Sequence, residues 1–132
     1  MSASYHYCFR KGINFNFETG QETPVTLMRT IEDVGYKNMG VNLDPANLLL
    51  YGKANPVDAV DIYKDRIMGL HVKDGEYPTD GRHLGSELPV GKGRVNFPLL
   101  LEKLHNNKFS GAVIIEREIS GPQQSNDVME SP

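Results

Sequence analysis

The feature that most limits how this chain can fold is a strict alternation of short apolar runs with helical patterns. "INFNF", from Ile13 to Phe17, alternates with period two and reads as a strand. "TPVTLMRTIEDVG" follows, with Thr23 placed as an N-cap, Pro24 in the first turn and Gly35 as a C-cap. Leu27, Met28, Ile31 and Val34 recur at three and four and make one apolar stripe. A second strand runs from Met39 to Leu43. "NPVDAVDIYKD" reads as a second helix, with Asp58 early, where the dipole favours negative charge. "RIMGLHVKD" is a third strand ending near Val72, and a long loop runs from Gly75 to Arg94. Asn96 is placed to cap a helix over "FPLLLEKLHNN", whose Phe97, Leu100, Leu101 and Leu104 share a face. "GAVIIERE" supplies a fourth strand from near Ala112. This order predicts an α/β fold of four parallel strands with crossover helices. The strands are apolar enough to be buried on both faces.

At 132 residues the chain is the size of one domain. Such a domain hides roughly two thirds of its unfolded surface. Hydrophobic residues at 39% and charged residues at 23% are ordinary for a soluble globular protein. The net charge of -3 leaves no basic footprint, so no nucleic-acid partner is expected. One cysteine, Cys8, cannot form an intrachain disulfide, which suits a reducing, cytoplasmic setting. No signal-peptide core and no bilayer-length apolar run is present, so no membrane partner is expected. "MSASYHYCFRKG" has no helical or strand period, so residues 1–12 are expected to be irregular. Residues 13–120 are expected to hold the fold, and the polar residues 121–132 to be a disordered or truncated tail.

Each expected strand ends on, or carries near its end, a residue able to bind a metal: Glu18, Asp44, His71 and Glu116. In parallel α/β folds the carboxyl ends of the strands lie on one side, where active sites collect. Taken singly, each residue has a plainer reading. An Asp before Pro is usually a turn former, a His at a strand end is usually hydrogen-bonded structure, and Glu18 and Glu116 suit helix dipoles or solvated ends. Four ligand-type residues at four equivalent positions are much harder to assign to chance. Three carboxylates and one imidazole suit Mn²⁺ or Mg²⁺, with Co²⁺ or Zn²⁺ as alternatives. The set lacks the thiolates of a structural zinc site.

"FETGQET", "GVNLDPANLLLYGKANP", "GLHVKDGEYPTDG", "PVGKGRVNF" and "GAVIIEREISG" together resemble the sugar phosphate isomerases and epimerases of the xylose isomerase-like TIM barrels. The resemblance spans about Gly12 to Gln124. It implies that Glu18, Asp44, His71 and Glu116 hold a divalent metal, the set reached from the strand ends. It also implies that Glu18 and Glu116 are the catalytic acid and base, moving a proton beside a carbonyl through an enediolate. The implied partner is a small sugar or sugar phosphate. Many relatives place a His three residues after the Asp; here that position is Asn47, which can hydrogen-bond a hydroxyl but carries protons poorly at neutral pH. The departure counts against a multi-zinc DNA-repair endonuclease. An inosose-type dehydratase or a metal-dependent hydrolase on the same scaffold stays open.

Further contacts are expected from the loops. Lys73 lies two residues after His71 and so on the same face, within reach of a substrate oxygen. Gln21 and Glu22 follow Glu18 and can meet sugar hydroxyls, and Asp74 is expected to orient its neighbours. In "GKGRVN", Gly91, Lys92, Gly93 and Arg94 suggest phosphate contact. One G-x-G is a weak signal, and a plain turn is the expected reading. His83 is expected to be a loop residue.

A whole barrel has eight strand–helix units in ~250 residues. Four strands correspond, by the resemblance, to its C-terminal half. Such a half leaves two sheet edges and its inner face uncovered, with Val41, Leu43, Leu70 and Val72 lining or backing that sheet. A second copy or a complementing N-terminal half is therefore the expected partner. The other expectation is a non-catalytic fragment or assembly subunit that keeps the site by descent.

Overall fold

The structure, a computed structural model, describes residues 2–131. Its elements run α1 (Ser2–Arg10), β1 (Phe15–Glu18), α2 (Pro24–Val34), β2 (Met39–Leu43), α3 (Pro45–Leu50), α4 (Pro56–Tyr63), a 3₁₀ turn (Lys64–Arg66) and β3 (Ile67–Val72). Then come β4 (Asp74–Gly75), β5 (Glu87–Leu88), α5 (Phe97–Asn106), β6 (Ala112–Ile115) and α6 (Pro122–Met129). β1, β2, β3 and β6 form one parallel sheet in that order, and β4 pairs with β5 antiparallel in a separate hairpin.

The register sorts the side chains into two faces. Phe15 and Phe17 pair with Met39 and Val41, and Leu43 pairs with Leu70. These positions face the helices. Met39, Val41, Leu43 and Leu70 are buried in one core with Leu27 and Ile31 of α2, Val60 and Tyr63 of α4, and Leu100 and Leu104 of α5. Each such aliphatic side chain contributes roughly 1.5–3 kcal/mol by leaving water. The opposite face carries small and polar residues: Asn16 pairs with Gly40, and Glu18 with Asn42.

β3 reaches this alternation by an irregularity. Val41 pairs with Ile67, but the next residue, Asn42, pairs with Gly69. Met68 is the extra residue of a bulge. A Cβ on Gly40 would lie 2.5 Å from Met68 Sδ, and one on Gly69 would lie 2.5 Å from Asn42 Oδ1. Gly40 is needed for this close approach, since its Cβ would also lie 2.7 Å from Arg66 O, whereas a Cβ on Gly69 would displace the Asn42 amide.

The local helix signals act as read. Thr23 accepts from Thr26 N–H (3.3 Å), and Gly35 closes α2 at φ 79° with its N–H on Ile31 O. Asn55 Oδ1 accepts from Val57 and Asp58 N–H, opening α4. Asn96 does not cap α5. It adopts a left-handed backbone (φ 59°, ψ 62°) and its side chain makes no cap bond.

Four other expectations change. The segment expected to be irregular over 1–12 is helical over Ser2–Arg10, and the helix docks its aromatic residues on Phe15 and Tyr36. Tyr5 packs on Phe15 and Tyr36, Phe9 on Tyr36, and His6 Nδ1 lies 2.7 Å from the Tyr36 hydroxyl. The tail is not disordered over 122–129, where α6 forms. It is tied by polar contacts: Arg117 Nε donates to Asp127 Oδ2 (2.7 Å), and Gln124 Nε2 to Arg117 O (2.7 Å). Met1 and Pro132 lie outside the described residues. The 75–94 loop contains a hairpin strand, β5, and "PANLLL" is a short helix of its own. Burial on both faces fails for β6, whose four residues are all exposed, whereas β2 is buried along most of its length. Val41, Leu43 and Leu70 back the sheet on its helix side, and Val72 is half-buried. Among the described residues no helix is long and apolar enough to cross a membrane.

Candidate metal centre

Four strands deliver four ligand-type side chains to one point. Glu18 is the last residue of β1, on the face away from the helices. Asp44 follows β2 and caps α3, its Oδ1 accepting from Asn47 N–H (2.9 Å). Thr19 fixes that junction: its hydroxyl donates to Asp44 O (2.7 Å) and accepts from Asp44 N–H (2.8 Å). His71 stands on the same face in β3, held through Nε2 by Asn42 Nδ2 (2.9 Å). Glu116 follows β6, its N–H donating to Val72 O (3.1 Å).

One ligand atom from each of Glu18, Asp44, His71 and Glu116 lies within 4.8 Å of the others. His71 Nδ1 is 3.2 Å from Glu18 Oε1, 3.6 Å from Asp44 Oδ2 and 3.4 Å from Glu116 Oε2. The burial is uneven. The Asp44 side chain is 0% exposed and that of His71 11%, against 51% for Glu18 and 30% for Glu116. Asp44 Oδ2 and His71 Nδ1 are both buried without a hydrogen-bond partner. Buried polar atoms are normally satisfied, so two such atoms without a hydrogen bond, converging with two further carboxylates, suit a bound cation. The cluster is therefore one that can hold a divalent ion. Burial pushes the Asp44 carboxyl up to about 6, against the opposing pull of Lys73, the Asn47 N–H and His71, with Glu116 adding to the rise. Burial alone would lower the Lys73 ammonium; its hydrogen bond to Glu118 and the charges of Asp44, Glu118 and Glu87 outweigh that and push it up to about 12.

The sequence model of the xylose isomerase-like TIM barrel family matches residues 5–131. The chain belongs to that family. A xylose isomerase domain protein from Planctomyces limnophilus is 33% identical with a TM-score of 0.91. The match covers 97% of this chain and 47% of that one. A xylose isomerase-like TIM barrel protein from Mycobacterium smegmatis, in complex with magnesium, is 17% identical at TM-score 0.75, covering 97% and 47%. The 3-keto-D-glucoside 4-epimerase of E. coli is 17% identical at TM-score 0.70, covering 96% and 46%. The last two share the fold. The chain spans about half the length of each of these barrels, and its parallel sheet of four strands is a partial (β/α) barrel.

The other expected site residues are placed as follows. Lys73 is buried beside the cluster, its Nζ donating to Asn47 Oδ1 (3.2 Å). Asn47 also donates from Nδ2 to Thr19 O (3.1 Å), so its amide braces two strand ends. Gln21 lines an open recess of about 270 Å³ with Glu18, Glu22, Asn47 and Tyr51. A larger recess of about 380 Å³ lies among Asn14, Asp65, Met68 and Ser110, at the opposite ends of the strands. Ligands of parallel α/β folds gather at the carboxyl ends, and there a recess of about 580 Å³ also lies against Glu116 and Glu118. His83 is exposed and pairs with Asp80.

The "GKGRVN" amides are already spent. Asp74 is buried, and its carboxylate accepts from the N–H groups of Gly75, Gly91, Gly93 and Val95 at 2.8–3.1 Å. The loop wraps a carboxylate of its own chain, which makes it a turn and makes Asp74 its anchor. A Cβ on Gly93 would sit 2.2 Å from Asp74 Oδ1, so only glycine fits there. Sequence reasoning missed Thr19 and Glu118. A hydroxyl directly after the strand-end Glu was the available signal for Thr19. Glu118, two residues beyond Glu116, shared its face by the same period that singled out Lys73.

Proposed function

We propose that this chain forms the metal-holding half of a divalent-metal-dependent sugar isomerase or epimerase. The observation that carries the reading is the convergence of Glu18, Asp44, His71 and Glu116, in which the buried Asp44 Oδ2 and His71 Nδ1 make no hydrogen bond. Glu18, Asp44, His71 and Glu116 would hold the ion, with Mn²⁺ or Mg²⁺ suited to an oxygen-rich set. The bound ion would supply Lewis-acid polarisation of substrate oxygens.

The protein's own groups do the rest. Glu18 and Glu116 rise from opposite edge strands and flank the cluster, so one takes a proton from the carbon beside a carbonyl and the other returns one. Their exposure leaves room for a substrate, while Asp44 stays fixed beneath. Gln21 and Asn47 line the adjoining recess and offer amides to hydroxyls, and Lys73 offers a cation to a developing negative oxygen. A ketose or its phosphate matches that chemistry. The described sheet ends at β1 and β6, and the proposed working unit is a closed barrel, with a second copy or a complementing half as the proposed source of the other strands.

The test is proton exchange. A panel of ketoses and ketose phosphates is incubated in D₂O with Mn²⁺ and followed by NMR. Deuterium entering at the carbon beside the carbonyl supports the reading, and its loss in Glu116→Gln with Mn²⁺ binding retained assigns the base. Elimination of water without exchange would mark a dehydratase. No exchange in an assembled, closed barrel rejects proton-transfer chemistry.

A further inference from the structure

Lys73 is a fully buried ammonium set among the proposed ligands, with Nζ 3.5 Å from Asp44 Oδ2 and 3.5 Å from Glu116 Oε2. Those are two of the carboxylates that would take a divalent ion. A monovalent and a divalent cation sharing two oxygens repel each other strongly in a low-dielectric site. The ammonium therefore competes with the metal unless another acceptor draws it aside. Glu118 is that acceptor: its Oε2 is the nearest carboxylate oxygen to Nζ.

Glu118 stands outside the ligand cluster and its side chain is 63% exposed, yet its backbone is pinned. Its N–H donates to Glu87 Oε1 (2.8 Å), and Arg117 Nη1 donates to the same oxygen (3.1 Å). Arg117 also donates from Nε to Asp127 Oδ2 (2.7 Å). The β4–β5 hairpin and α6 thus grip residue 117 from two sides, and the alternation of the chain turns 116 and 118 toward Lys73.

We propose that Glu118 is a positioning residue that draws the Lys73 ammonium off the Asp44 and Glu116 oxygens, and so sets the affinity of the centre for a divalent cation. This rests on the reading of the cluster as a metal centre. Glu118 pairs with Lys73, is not among the four clustered residues, and would act on the centre through that ammonium. Removing its charge leaves Lys73 the neutral Asn47 amide oxygen at 3.2 Å, and only the ligand carboxylates as charged partners.

The experiment is calorimetric titration of the full chain with Mn²⁺, using wild type, Glu118→Gln, Lys73→Met and the double variant. Glu118→Gln is expected to weaken binding about ten- to a hundredfold, the usual effect of losing a partner just outside a metal's ligands. Lys73→Met is expected to tighten it. In the Lys73→Met background, Glu118→Gln is expected to change nothing. Thermal unfolding of the metal-free variants separates this from misfolding, since a structural role would lower stability without opposite signs in affinity. Unchanged binding in Glu118→Gln overturns the inference and leaves the metal centre standing. An equal loss in the Lys73→Met background also overturns it, because Glu118 would then act on the ion directly. No Mn²⁺ binding by wild type rejects the metal centre and the inference with it.

Discussion

The four converging residues divide into two pairs. Asp44 and His71 come from the central strands β2 and β3, are almost wholly buried, and are braced by Thr19 and Asn42. Glu18 and Glu116 come from the sheet's two edges and stand in solvent to 51% and 30%. A neighbour on each side fixes a strand, whereas an edge strand is fixed on one. The inner pair is fixed and buried, and the outer pair is open to solvent.

The largest expected effect lies with the inner pair. His71→Ala should abolish Mn²⁺ binding within the range of calorimetry, whereas Glu18→Gln should weaken it by about tenfold while removing deuterium exchange. Equal losses from both variants would erase the distinction between the pairs.

Asp44→Asn sharpens it in the opposite direction. The folded Asp44 carboxyl is raised from 3.8 to about 6, so the folded state binds its proton more tightly than the unfolded one. Stability of the metal-free chain therefore falls as pH rises between those values, and above about 6 the full cost is present, on the order of 3 kcal/mol. Asn keeps the helix cap and carries no charge. Asp44→Asn should raise the melting temperature of the metal-free protein above pH about 6, and the gain should vanish below the ordinary carboxylate range. Mn²⁺ affinity of the wild type should rise with pH through the same window, as the competing proton leaves.

Arg117→Ala tests the edge pair from behind. With its bonds to Glu87 and Asp127 gone, α6 should lose helicity and protease protection, while β2 keeps its hydrogen-exchange protection. The smallest effect is expected in the core beneath the inner pair. The Tyr63 hydroxyl is buried without a partner, and burial, with the Glu22 charge, pushes its pKa up and keeps the phenol neutral. Tyr63→Phe should change stability by no more than about 1 kcal/mol, with a gain as the expected sign, read by urea denaturation.

The sequence showed whichever parts are set by local chemistry. Met39–Leu43 ended where read, Thr23 and Asn55 capped their helices, and the helix stripes found the core. The strand ends also pointed to all four residues that the fold brings together. The parts it hid depend on partners distant in the chain. α6 is held by Arg117 and Asp127 rather than by an apolar stripe, so hydropathy is silent there. α1 docks through Tyr5 and Phe9 onto Tyr36, and one aromatic pair four apart is too short a period to read. Asn96 has the right residue type for a cap, and only its left-handed backbone shows that it is not one. The exposure of β6 has the same origin, since "AVII" is apolar whatever covers it.

The bulge at Met68 has a further consequence, best put as counting. A strict strand starting from Ile67 on the helix side would send Gly69 there too, and would turn Leu70 outward and His71 inward to the core. The inserted residue swaps odd for even halfway along, so that Ile67 and Leu70 share one side and Gly69 and His71 the other. The imidazole at the centre of the cluster owes its direction to one uncounted step three residues before it.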